Sequence, residues 1–153
     1  MDLREISKLA PIRGAMQARV VIPMTDMTDS ESPETPAPET NGAAAATQAA
    51  ADAESFTERG MLLCRKARWR DAIEPLRRAT ELAPSEGLAF YYLGDAYNHT
   101  DQLPAALSAF ETAAQLLTDN WRALKGVGIV LDRMRRPQEA AAAYQKARDA
   151  QKR

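Results

Sequence analysis

Residues 87–120 read GLAFYYLGDAYNHTDQLPAALSAFETAAQLLTDN, and the same alternation of large and small residues stands 34 positions before and 34 positions after. An offset of 34 superposes Gly94 on Gly60 and Gly128, Ala106 on Ala72 and Ala140, and Ala113 on Ala79 and Ala147. Large residues keep the same register. Phe56, Phe90 and Leu124 lie four positions before each glycine, Leu63, Tyr97 and Leu131 three after it, and Leu76, Phe110 and Tyr144 sixteen after it. Within each copy the apolar residues recur at helical intervals in two blocks, 54–66 and 70–82 in the first, parted by a short polar turn. Each copy is therefore predicted to be a pair of helices, with Ser85 as an N-cap and Pro104 in a first turn, where its missing N–H breaks no bond.

The small columns have a packing reason. A Gly or Ala at a fixed place on each helix lets its partner approach at the short end of the roughly 8–10 Å interaxial range, and the large residues fill the space that remains. One pair cannot bury its apolar face alone, so the copies at 53–86, 87–120 and 121–153 are predicted to stack into an all-α solenoid with an inner and an outer surface.

These columns resemble the tetratricopeptide repeat (TPR). The family's sequence of Leu-Gly, Tyr, Ala, Phe and Ala is matched best in the middle copy, by Phe90, Leu93, Gly94, Tyr97, Ala106, Phe110 and Ala113. The first copy has Arg59 where Leu is usual but keeps the closing Pro84, which Thr118 and Lys152 replace in the other two. The resemblance covers about two thirds of the chain and implies a right-handed superhelix of three helix-turn-helix motifs. It implies protein or peptide binding in a concave groove lined by the first helix of each pair, and neither a catalytic centre nor a cofactor.

Carrying the family's groove positions onto this chain selects Glu54, Thr57, Met61, Cys64 and Arg65 in the first repeat. In the second it selects Leu88, Tyr91, Tyr92, Asp95, Asn98 and His99, and in the third Arg122, Lys125, Ile129, Asp132 and Arg133. Adjacent tyrosines beside basic residues suit a peptide or helix with apolar anchors and a carboxylate, although either tyrosine can instead belong in part to the core. Members that clasp a C-terminal carboxylate use Lys, Asn and Arg at places where this chain has Thr57, Met61, Tyr92, Arg122 and Gly126. Only Arg122 is basic there, which speaks against that activity.

Charge is distributed unevenly by repeat. The second repeat has no Lys or Arg and four acids, whereas the third has nine basic residues against three acids, so a ligand in the groove meets a field gradient. The acidic middle also interrupts the continuous basic stripe that nucleic acid binding needs, and no nucleic acid partner is expected. Cys64, Asn98 and Asp132 share one column, with Asp95 and His99 one turn apart, which raises the question of a thiol nucleophile and its base. Nothing in the sequence supplies an oxyanion site, and one cysteine with one histidine is too few soft ligands for a zinc site. Cys64 is read as a buried small residue and His99 as a polar groove residue, in a chain that is not an enzyme and needs no metal.

The remaining third of the chain differs in character. Residues 1–52 carry four basic and eight acidic side chains, and residues 24–42 include Pro33, Pro36 and Pro38 with few apolar groups, so residues 1–42 are expected to form a disordered acidic, Pro-rich tail. An alanine-rich run from 43 to 52 is expected to lead helically into the first repeat. The abrupt change at Met24 makes Met24 or Met27 candidate translation starts beside Met1. No stretch has the roughly 18–20 apolar residues a membrane span needs, the N-terminus lacks a signal-peptide apolar core, and the single cysteine suits a reducing compartment. Cytoplasmic residence without membrane insertion is therefore expected, and self-association through an uncapped last repeat or a secretion-type chaperone role are the alternatives to an adaptor.

Overall fold

The computed structural model describes residues 39–153, with side chains from Gly42 onward, so the translation start and the expected disordered tail 1–42 lie outside the described residues except for 39–42, which are helical. Six helices follow among the described residues: α1 (Glu39–Arg65), α2 (Trp69–Leu82), α3 (Gly87–His99), α4 (Leu103–Leu116), α5 (Trp121–Arg133) and α6 (Pro137–Gln151). The helical lead-in is continuous with α1, because its alanines lose almost no side-chain entropy on joining the helix. Pro104 and Pro137 sit in the first turns of α4 and α6, where a missing N–H breaks no intrahelical bond.

The two turns around each pair obey different rules. Between the helices of a pair, Ala67, Asp101 and Arg135 adopt φ of 56°, 63° and 61°, a left-handed conformation repeated at the same 34-residue register although none is glycine. Each closes a six-to-one bond over the helix end: Arg68 N–H donates to Leu63 O, Gln102 N–H to Tyr97 O and Arg136 N–H to Leu131 O, all at 2.9 Å. Between pairs, Ser85 does not cap α3 as expected. The chain first closes a turn in which Glu86 N–H donates to Ala83 O at 3.0 Å, which moves the cap position to Glu86, and no side chain caps the helix there.

The glycine column explains how each pair closes. Gly60 faces Leu76, Gly94 faces Phe110 and Gly128 faces Tyr144, in each case the residue sixteen positions on. A Cβ on Gly94 would stand 2.9 Å from the Phe110 ring, and one on Gly128 2.6 Å from the Tyr144 ring, so only the missing side chain lets the paired helices approach this closely. Ala72, Ala106 and Ala140 are fully buried in the same register.

Neither core belongs to one repeat. Cys64, Ala72 and Leu76 of the first pair bury together with Leu93 and Ala96 of the second, while Ala106 and Phe110 of the second bury with Val127, Val130, Leu131, Ala140 and Ala143 of the third. Tyr97 packs against both clusters. Consecutive helices from α2 onward pack on one another, and α3 also touches α5, which places the first helices of the second and third pairs side by side. That adjacency creates the candidate site.

Candidate functional site

Between α3 and α5 lies a furrow of about 270 Å³. Tyr91, Asp95 and Asn98 form one wall, Trp121, Arg122, Lys125 and Ile129 the other, and Phe110 and Gly126 lie beneath. The walls follow from helix spacing: 91, 95 and 98 are one turn apart on α3, as are 122, 125 and 129 on α5. Six of the residues selected from the sequence therefore meet at one place.

Charge divides across the furrow. Burial is the main reason that the Asp95 carboxyl titrates above its usual range, and the nearby His99 opposes it. Tyr91 is also pushed up, first by burial and then by the Asp95 charge, with Arg122 on the opposite wall pulling the other way. The Tyr91 ring stands edge-on to Tyr92 at 5.2 Å and to Phe110 at 5.8 Å, which fixes its orientation. Across from it, the Arg122 guanidinium lies 5.2 Å from the centre of the Trp121 ring.

Other selected residues are used elsewhere. Thr57 is buried and its hydroxyl donates to Ala53 O at 3.0 Å, so this residue satisfies its own helix and presents nothing to a ligand. Arg133 reaches back from the end of α5 to Asn98, donating to its Oδ1 at 2.8 Å and to its carbonyl, and it pairs with Asp101. A cation at the carbonyl end of α3 stabilises the helix dipole, so Arg133 is a staple between repeats rather than a groove residue. Asp132 accepts the Tyr144 hydroxyl at 2.9 Å and thereby faces its own pair. His99 stacks flat on Trp69, with centroids 3.8 Å apart and planes within 8°, and its Nε2 lies 3.5 Å from Asp95, which holds the imidazole at the edge of the turn and outside the furrow. Tyr92 packs on the core around Cys64 and Leu76 and Tyr91 on the core around Phe110 and Val127, so both tyrosines are shared with the core, and Tyr91 also lines the furrow. Met61 is half-buried, Arg65 and Leu88 are exposed, and none of the three lines the furrow.

The thiol question is answered by burial. Cys64 is buried, its Sγ approaches only the Tyr92 carbonyl, at 3.9 Å, and burial together with the Asp95 charge pushes its thiol up to about 12. A thiolate is therefore scarce at neutral pH, and the stacked His99 is not placed to generate one. No cluster of three metal-ligating side chains occurs among the described residues.

Trp121 was not selected from the sequence, yet the signal was present. Its column reads Ala53, Gly87, Trp121, and the first two are buried small residues while the tryptophan stands half-exposed at the furrow. A larger void of about 620 Å³ lies on the other side of α5, floored by Leu124, Val127 and Leu131 and bordered by Ala114, Ala142 and Ala143, which are too short to fill it. It gathers none of the selected groove residues.

No family model matches the sequence, and no curated protein matches it. Solved structures do. A crystal structure of MamA aligns with a TM-score of 0.61 at 24% identity, over 65% of this chain and 58% of that one. MamA 41-end from Desulfovibrio magneticus RS-1 gives 0.61 at 22% identity, over 65% and 56%. The TPR domain of Arabidopsis OM64 gives 0.64 at 19% identity, over 67% and 84%. The chain thus spans a little over half the length of those MamA structures. No helix among the described residues is long and apolar enough to cross a membrane. The packing of each glycine on a large side chain, the cores shared between pairs and these alignments together show that the described residues fold as an all-α solenoid of tetratricopeptide-type helix pairs.

Proposed function

We propose that this chain is a protein-interaction scaffold that holds a peptide or helix of a partner in the groove formed by its first helices. The observation that carries the reading is the furrow itself, where six side chains selected independently as groove residues surround one void. The scaffold works without catalysis, metal or cofactor, does not bind nucleic acid, and acts in the cytoplasm, where the lone buried Cys64 stays reduced. The test is to purify the tagged chain with its bound proteins, identify them by mass spectrometry, and repeat with Tyr91→Ala plus Arg122→Glu after circular dichroism confirms that the variant is helical. A partner lost only from the variant supports the groove. A partner retained by it refutes the groove and moves attention to the other side of α5.

A second reading, self-association, is favoured by an open void between α5 and α6. Trp121, Lys125, Tyr144, Ala147, Arg148 and Gln151 surround an open void of about 410 Å³ there. Tyr144 occupies the column of Phe110, which in the preceding repeat is covered by Gly126 of the next helix. Light scattering that gives a monomer mass at every concentration would exclude it. A small secretion-type chaperone remains a variant of the groove reading, in which the partner is an exported protein.

A further inference from the structure

We infer that the furrow between α3 and α5 takes an acidic peptide through one bulky apolar side chain, an inference that rests on the groove reading and narrows the chemistry of the partner. Two departures from the repeat converge there. The column Ala53, Gly87, Trp121 gains an aromatic ring that the packing of the first two repeats does without. The column Glu58, Tyr92, Gly126 loses its side chain and leaves Phe110 as the floor. One change adds an apolar wall and the other lets α5 close on the Phe110 ring that floors the furrow, and the 270 Å³ between them lies just under the roughly 300–1,000 Å³ of small-molecule sites. The void has room for a single large side chain and too little for a cofactor.

The dimensions and charges extend the argument to the flanking residues. From Trp121 to Ile129 the α5 wall runs eight residues, about 12 Å at ~1.5 Å per residue, which an extended peptide crosses with about four residues. Arg122 and Lys125 stand one turn apart on the α5 wall, and neither is within ion-pairing distance of a carboxylate among the described residues. Two cations therefore stand on the same wall as Trp121. Asp95 faces them from α3, so acids of the ligand are repelled from that wall and drawn to α5, which orients the peptide across the furrow.

The probe is a dye-labelled peptide, blocked at both ends to remove terminal charge, with one phenylalanine between aspartates. One control replaces its aspartates by lysines and another replaces its phenylalanine by alanine. Affinity for the full chain is read by fluorescence anisotropy, and the location by the indole N–H resonances of the two tryptophans, Trp121 at the furrow and Trp69 away from it. The aspartate peptide is expected to shift Trp121 and leave Trp69 in place, and each control to bind about tenfold more weakly or worse. Trp121→Ala, which restores the small residue of the first repeat, should keep helix content and lose about tenfold in affinity. Arg122→Glu with Lys125→Glu should lose about as much, and less at high salt. Equal binding of the lysine peptide, unchanged affinity in Trp121→Ala, a shift confined to Trp69, or no binding of any probe would each overturn the inference. The groove reading is judged separately, by whether Tyr91→Ala plus Arg122→Glu sheds the co-purifying partner.

Discussion

Replacing Gly94 by alanine puts two physical effects in direct opposition. In a helix interior alanine is favoured over glycine by about 1 kcal/mol, so α3 taken alone gains from the change. The Phe110 ring opposes it, because the new Cβ would lie 2.9 Å from Cγ and Cδ1 and 3.1 Å from Cδ2, directly on the ring. The ring cannot retreat, since Gly126 of α5 closes on its far edge so tightly that a Cβ there would stand 2.7 Å from Cδ1 and Cε1. Overpacking of this kind costs about 1–3 kcal/mol, and a ring clamped by two helices belongs near the upper end. The net expectation for Gly94→Ala is a loss of about 2 kcal/mol, which for a folded unit of this size lowers the thermal midpoint by about 10 °C. Phe110→Leu should itself cost roughly 2 kcal/mol through lost burial, but combined with Gly94→Ala it relieves the clash, so the double variant should be more stable than the sum by at least about 1 kcal/mol. Urea unfolding followed by circular dichroism at one fixed slope measures all three. A Gly94→Ala variant as stable as the parent, or strictly additive effects, would show that the ring has room and that the glycine column does not set helix separation.

Three further outcomes follow from single residues. Ala67 and Arg135 hold left-handed φ values that glycine adopts without strain, so Ala67→Gly and Arg135→Gly should each raise unfolding free energy by roughly 0.5–1 kcal/mol in chemical denaturation, and Asp101→Gly by less because its carboxylate pairs with Arg133. Pro75 lies inside α2 where the equivalent residues are Ala109 and Ala143, so Pro75→Ala should restore a backbone bond and stabilise the protein by up to about 3 kcal/mol, read as a higher thermal midpoint. Burial raises the Asp95 carboxyl above its ordinary 3.8, so its stabilising contribution is complete below that pH and is lost as pH rises through the folded value. Asp95→Asn should therefore be more stable than the parent at neutral pH, with the gain shrinking on acidification, and an unchanged difference across that range would contradict the burial argument.

The fold was legible because packing demands the same residue at the same place in every copy. Gly60, Gly94 and Gly128 each face a large side chain sixteen positions on, and no single copy would have shown that as clearly as three in register. What stayed hidden was set by backbone geometry without a residue signature. The left-handed turns at Ala67, Asp101 and Arg135 repeat as faithfully as the glycines, but no glycine marks them here. Ser85 failed as a cap for a related reason: a residue's capping preference is local, whereas the start of α3 is fixed by the turn that Glu86 closes on Ala83.

The furrow was legible only in part, and the selected residues that lie outside it have one feature in common. A column-by-column assignment of groove positions treats equivalent residues as equivalent in use. Arg133 and Asp132 occupy groove columns, yet each finds a partner that its counterpart in the neighbouring repeat does not, Asn98 with Asp101 for one and Tyr144 for the other. Thr57 is likewise drawn inward by its bond to Ala53. In a repeat protein, agreement down a column reports what the stack needs in order to fold, because each copy must pack on the next. Disagreement that costs the stack nothing is free to serve a ligand. Trp121 breaks its column without disturbing the core around Phe110 and Val127, and it opens onto the furrow between Tyr91 and Lys125, whereas Gly126 breaks its column to let α5 close on Phe110.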